Sequence, residues 1–117
     1  MAHSFLQHNG QDVFFINHRG LSGEELLGSF RSASKYVLDN KKEMLIVVDL
    51  SDTTMTKELD EYVKGEEMKA TAKYIKKQAV VGITGIKKMV LRIYNALTGT
   101  NTVMCDTVEE ALDKITK

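Results

Sequence analysis

Asp49 and Asp52 stand three residues apart at the end of an apolar run, with Thr53, Thr54 and Thr56 following them. Two carboxylates so placed, at the carboxyl edge of a strand where α/β sheets tend to hold ligands, could bind a magnesium ion or accept a phosphoryl group. Any of the three threonines could be a phosphoacceptor. The same residue types also cap helices and bond the loops that lead into them, and the chain supplies no third member for a catalytic constellation. An enzyme or phosphoacceptor domain is therefore the alternative reading, and it requires Asp49 to be exposed and close to the glycine turn at 82–85.

That turn, Gly82-Ile83-Thr84-Gly85, is the second place where chemistry could occur. It joins an apolar strand to a helix, so free backbone N–H groups would gather at the positive end of the helix dipole, where anions bind. Lys87 and Lys88 fall in the first turn, where cations are disfavoured by about 0.3–1 kcal/mol each. The spacing is neither that of a Walker A loop nor that of a dinucleotide fingerprint. Gly82, Thr84, Gly85, Lys87 and Lys88 make up the candidate ligand-binding set, against the plainer reading of a structural turn with two solvated lysines.

His3, His8 and His18 surround a turn without the paired spacing of a metal site, and edge-strand polar positions suit them better. Cys105 has Asp106 beside it, which discourages a thiolate, and reads as a small buried hydrophobe. Neither a metal nor a cofactor is expected.

Charge is distributed unevenly. Between Glu67 and Asp106 lie seven basic residues (Lys69, Lys73, Lys76, Lys77, Lys87, Lys88 and Arg92) and no carboxylate, although the whole chain is formally neutral. Such polarity suits an anionic small molecule, lipid headgroups, an acidic protein partner or self-association, while lysines scattered over different faces would merely solvate the surface. No specific nucleic-acid partner is indicated.

The elements that must position these residues follow from periodicity. Asn9-Gly10 between Phe5-Leu6 and Val13–Ile16 predicts an antiparallel hairpin. Leu26, Leu27, Phe30, Ala33, Val37 and Leu38 mark one face of a first helix opened by a capping box at Ser22–Glu25. Met44–Leu50 and Gln78–Ile83 are nearly continuous apolar runs, as in strands covered on both faces. A long second helix is expected over Thr56–Lys77, bent at Gly65, and a third over Ile86–Leu97 with Ile86, Met89, Val90, Ile93 and Leu97 packed inward. Asn101–Cys105 closes the strands, and Thr107–Glu110 opens a last short helix. The expectation is one α/β domain over 1–117: a mixed sheet of about five strands with an N-terminal antiparallel hairpin and about four helices.

At 43% hydrophobic and 27% charged residues the composition is that of an ordinary globular domain. A lone cysteine favours a reducing, cytoplasmic setting. Met1–His8 has no basic segment followed by an apolar run, so no signal peptide is expected, and no stretch is long enough for a transmembrane segment.

Several phrases in this frame resemble the SpoIIAA-like branch of the STAS (sulphate transporter and anti-sigma factor antagonist) superfamily: Gly20-Leu-Ser-Gly-Glu-Glu25, Val47-Val-Asp-Leu50, Lys77-Gln-Ala-Val-Val-Gly-Ile-Thr-Gly-Ile-Lys-Lys88 and Cys105-Asp-Thr107 before Glu110-Ala111. The resemblance implies a SpoIIAA-like fold and a regulatory or binding role. It also brings the fold's similarity to lipid-binding CRAL-TRIO domains. In anti-sigma-factor antagonists a serine at the start of the helix after the central strand is phosphorylated, but here Asp49-Leu-Ser-Asp-Thr-Thr-Met-Thr56 lacks that phrase. The favoured expectation is a non-catalytic binding or regulatory module using a basic strand-turn-helix edge. Its lipid-pocket version predicts a cavity lined by Phe14, Tyr62, Met89 and Tyr94, and a homo-oligomer is expected because the charge halves are complementary and an edge hairpin is available for pairing.

Overall fold

The computed structural model describes residues 3–117. Asn9 and Gly10 both take positive φ, 50° and 76°, as a two-residue hairpin loop requires, and join β1 (His3–His8) to β2 (Gln11–Asn17) with His8 opposite Gln11. β2 leads through α1 (Gly23–Asn40) to β3 (Met44–Asp49), whose six residues are all buried, as its β-branched run demands. α1 starts after Ser22, but the Ser22 side chain accepts no capping bond, so the expected capping box does not close there. The box at the last helix does form: Thr107 accepts from the Glu110 N–H, and the Glu110 carboxylate reaches back to the Asp106 N–H.

The one long helix expected over Thr56–Lys77 is two, α2 (Lys57–Val63) and α3 (Glu66–Ala72), so there are five helices among the described residues rather than four. Gly65 is extended, with ψ at −179°, and serves as the N-cap of α3. Any Cβ there would come within 3.3 Å of the Glu61 and Tyr62 carbonyl oxygens. β4 (Ile75–Val81) starts three residues earlier than expected, because Ile75 pairs with Met44 and the Tyr74 carbonyl accepts from Met44 N–H. After α4 (Ile86–Thr98) come β5 (Val103–Cys105), three residues long, and α5 (Val108–Ile115).

The result is an α/β fold with a five-stranded mixed sheet in the order β1-β2-β3-β4-β5, antiparallel only at β1. Because the parallel strands follow one another in chain order and each crossover has the same hand, α1 to α4 all land on one face. That face holds the larger core, with Phe14, Ile46, Val48 and Val80 against Leu26, Val37, Leu59 and Val90. The other face presents Val13, Val47, Ala79 and Val81 to α5 alone among the helices. The end of α5 is tied to the hairpin: Asp113 meets His8 Nε2 at 2.6 Å, Asn9 donates to the Thr116 hydroxyl at 2.9 Å, and Gln11 donates to the Thr116 carbonyl at 2.7 Å. No helix of the described residues is long and apolar enough to cross a membrane.

Candidate functional site

The carboxyl ends of β2, β3 and β4 run into one another. Beyond the strands the ladder continues, with His18 N–H bonding the Asp49 carbonyl, Gly20 N–H the Ser51 carbonyl, and Leu50 N–H the Val81 carbonyl. Gly82 has φ +81°, and a Cβ on it would lie 2.5 Å from the backbone and hydroxyl of Ser51. Only glycine lets the two loops approach this closely. Lys87, the second residue of α4, then reaches back: its ammonium donates to the carbonyls of Thr53 (2.9 Å), Leu50 (3.3 Å) and Gly82 (3.4 Å), and to the Thr53 hydroxyl (3.2 Å). Burial lowers the Lys87 pKa from its ordinary value, and the Asp52 carboxylate works against that shift.

The candidate ligand-binding residues therefore separate. Thr84 and Gly85 are exposed and supply carbonyls to the first N–H groups of α4, those of Lys87 and Lys88. Lys88 is exposed while Lys87 turns inward, so the two lysines do not form one cradle. Five of the seven basic residues (Lys73, Lys76, Lys77, Lys88 and Arg92) are exposed and form no salt bridge among the described residues, Lys77 donating instead to the Lys117 carbonyl.

Asp49 is 3% exposed, one carboxylate oxygen accepting from Ser51 N–H at 2.9 Å and the other lying 3.8 Å from Arg19. Asp52 is exposed, with a positive φ of 59°, and its carboxylate stands 3.7 Å from the same guanidinium. Both acids thus serve the loop and Arg19. Thr53 is buried and donates to the Leu50 carbonyl, Thr56 caps α2 by accepting from Leu59 N–H, and Thr54 is the exposed one of the three. Among the described residues no three His, Cys, Asp or Glu side chains gather as a metal site would need. Cys105 is buried, and burial pushes its thiol pKa up.

Behind Lys87, between the sheet and the helices, lies a cavity of about 90 Å³. Ile16, Val48 and Val80 form its floor, Phe30 and Val37 of α1 and Leu91 of α4 part of its walls. Of the four residues expected to line a pocket, Tyr94 alone does. Phe14 is occupied with Phe5 and Tyr36, their ring centroids 5.3 and 4.8 Å away; Tyr62 packs edge-on to Phe30 and bonds Glu67; Met89 is 60% exposed. The Met89 position corrects the expected α4 face: Val90, Leu91 and Tyr94 turn inward, leaving Ile86, Met89 and Leu97 as an exposed ridge beside Lys88 and Arg92.

The polar groups of the wall are mostly spoken for. His18, expected at an edge, is instead 1% exposed, its Nδ1 2.7 Å from the Ser29 hydroxyl and its ring stacked on Phe30 at 4.3 Å. Ser34 donates to the Met68 sulphur, and Thr71 to the Glu67 carbonyl. The Tyr94 hydroxyl is the exception: it is buried without a hydrogen-bond partner among the described residues. Gln78, Thr98 and Thr100 surround it, but their own bonds go to Thr102, the Tyr94 carbonyl and Asn95. Burial pushes the Tyr94 pKa up, so at neutral pH it stays a protonated donor. No sequence signal marked this cavity, because its walls come from segments up to 78 residues apart, Ile16 to Tyr94. Comparison with family models, with curated proteins and with solved structures finds no match to the chain, so its function must be argued from this geometry.

Proposed function

We propose that the protein is a non-catalytic binding module that takes a small, mainly apolar molecule with an anionic end into the cavity behind Lys87. The observation that supports it is an apolar enclosure whose wall holds one cation, Lys87, and one donor without a partner, the Tyr94 hydroxyl. Sites of this kind bind by apolar burial and orient by a few polar groups. An apolar cavity of about 150 Å³ accepts benzene, so about 90 Å³ suits a smaller molecule such as a short aliphatic chain, with Met55 and Met68 in the lining able to adjust to its shape. A carboxylate would exchange the carbonyls around the Lys87 ammonium for a full charge, which makes a stronger hydrogen bond. The resemblance to SpoIIAA-like domains is in keeping with a binding role.

The test is a nuclear magnetic resonance titration with butanoate and with n-butanol. Butanoate should shift signals of Val48, Val80 and Leu91 and bind at least about tenfold more tightly than the alcohol, and Lys87→Gln should abolish that preference. Absence of shifts with either probe, or equal affinity for both, overturns the reading.

A further inference from the structure

The two edges of the sheet are built differently. On one side β5 pairs only with Ala79–Val81, and the rest of β4 carries exposed Lys76 and Lys77, so that edge is short and charged. On the other side β1 presents six residues, His-Ser-Phe-Leu-Gln-His, all paired to β2 in unbroken register. It contains no lysine, carboxylate, proline or bulge, the devices that keep an edge strand from pairing with another chain. We propose that β1 is a dimerisation edge, and that its partner is β1 of a second copy of this chain, in antiparallel pairing across a two-fold axis.

The register follows from the hairpin. A two-residue loop closes on a hydrogen-bonded pair, here His8 with Gln11, so His8, Leu6 and Ser4 spend their backbone groups on β2. The N–H and C=O groups of His3, Phe5 and Gln7 point outward. Placing Phe5 opposite Phe5 of the second copy, and His3 opposite its Gln7, engages all three residues on each chain in paired backbone bonds. The strand is self-complementary, as a two-fold interface requires, and no formal charge in it faces a like charge. Phe5 is 45% exposed and Tyr36 37%, with ring centroids 6.0 Å apart, which places an aromatic rim on the helix-bearing side of this edge. Pairing would bring the two rims together and cover them, and the two five-stranded sheets would become one continuous sheet.

A second copy fits better than a basic or acidic peptide, because β1 has no formal charge to select one. The interface is one strand pair with its rim, smaller than a standard stable interface, so association is reversible and depends on concentration. Sedimentation velocity over a concentration series tests it, with circular dichroism to check folding. The wild type should move from 13.1 kDa towards twice that mass. Phe5→Lys and Phe5→Glu each set like charges opposite one another and should weaken association by at least about tenfold, while an equimolar mixture of the two should regain the dimer. Gln7→Pro removes an outward N–H without touching the ladder to β2 and should weaken it independently. A wild type that stays monomeric to about 1 mM, or a dimer that survives both Phe5→Lys and Gln7→Pro, overturns the proposal.

Discussion

Acidification should destabilise the protein through His18, and the size of the effect can be worked out. The imidazole is 1% exposed, lies on Phe30 and bonds Ser29, with the His3 ring 6.2 Å away. Burial first, and His3 second, push its pKa from 6.5 down to about 4, against the pull of the Asp49 carboxylate. In the unfolded chain His18 takes up its proton near pH 6.5; in the folded protein it does not until about pH 4. Between those values the unfolded state holds the extra proton, so stability falls as pH falls, by about 1.4 kcal/mol per pH unit at most and about 3 kcal/mol in total. Above about pH 6.5 the group contributes no pH dependence. Some 2 kcal/mol, roughly, should be gone by pH 5, a large share of an ordinary stability of about 5–15 kcal/mol. The assay is urea unfolding of wild type and His18→Gln at about pH 7, 6 and 5, comparing the change in free energy rather than its absolute value. The difference between the two proteins cancels the titration of the exposed carboxylates. His3, whose pKa burial also lowers, remains in both. If wild type and variant lose stability in parallel, within about 0.5 kcal/mol over this range, the buried neutral imidazole is not what the fold contains.

Two further substitutions address the loops and the cavity. Gly82→Ala should cost at least about 3 kcal/mol, since the new Cβ meets the Ser51 backbone at 2.5 Å and φ is +81°; a loss under about 1 kcal/mol in urea unfolding would mean the loops are not interlocked. Tyr94→Phe removes a buried hydroxyl that has no partner, so thermal unfolding should show it within about 1 kcal/mol of wild type or more stable, and a loss above about 2 kcal/mol would show that the hydroxyl is bonded after all.

The hairpin and the buried strands were legible because their signals are local: positive φ at Asn9-Gly10 and unbroken apolar runs at Met44–Asp49 and Ala79–Val81. The split at Gly65 was visible only as a weak point. Tyr74 and Ile75 satisfy a helical face as well as a strand start, and only pairing with Met44 decides between them. The inward face of α4 is not legible in the sequence because the helix is apolar over more than its buried side, so periodicity does not say which arc meets the sheet. Lys87 breaks the charge rule of a helix start, and the structure supplies the reason: carbonyls of two loops gather around its ammonium. His18 and the cavity wall depend on how three strands and the helices meet. Neither composition nor spacing carries that information.

The single helix on the second sheet face also has a kinetic consequence. The bonds from Asp113 and Thr116 to His8, Asn9 and Gln11 join residues 105 to 107 positions apart. Closing so long a loop is costly until the intervening strands are in place, so α5 docks late in folding. In the native protein the same eight-residue helix packs on β3, β4 and β5 and is the one helix of the described residues that covers this face of the sheet. Until α5 docks, Val13, Val47, Ala79 and Val81 stand bare on an otherwise formed sheet, which makes that valine-rich face the place where misassembly would begin.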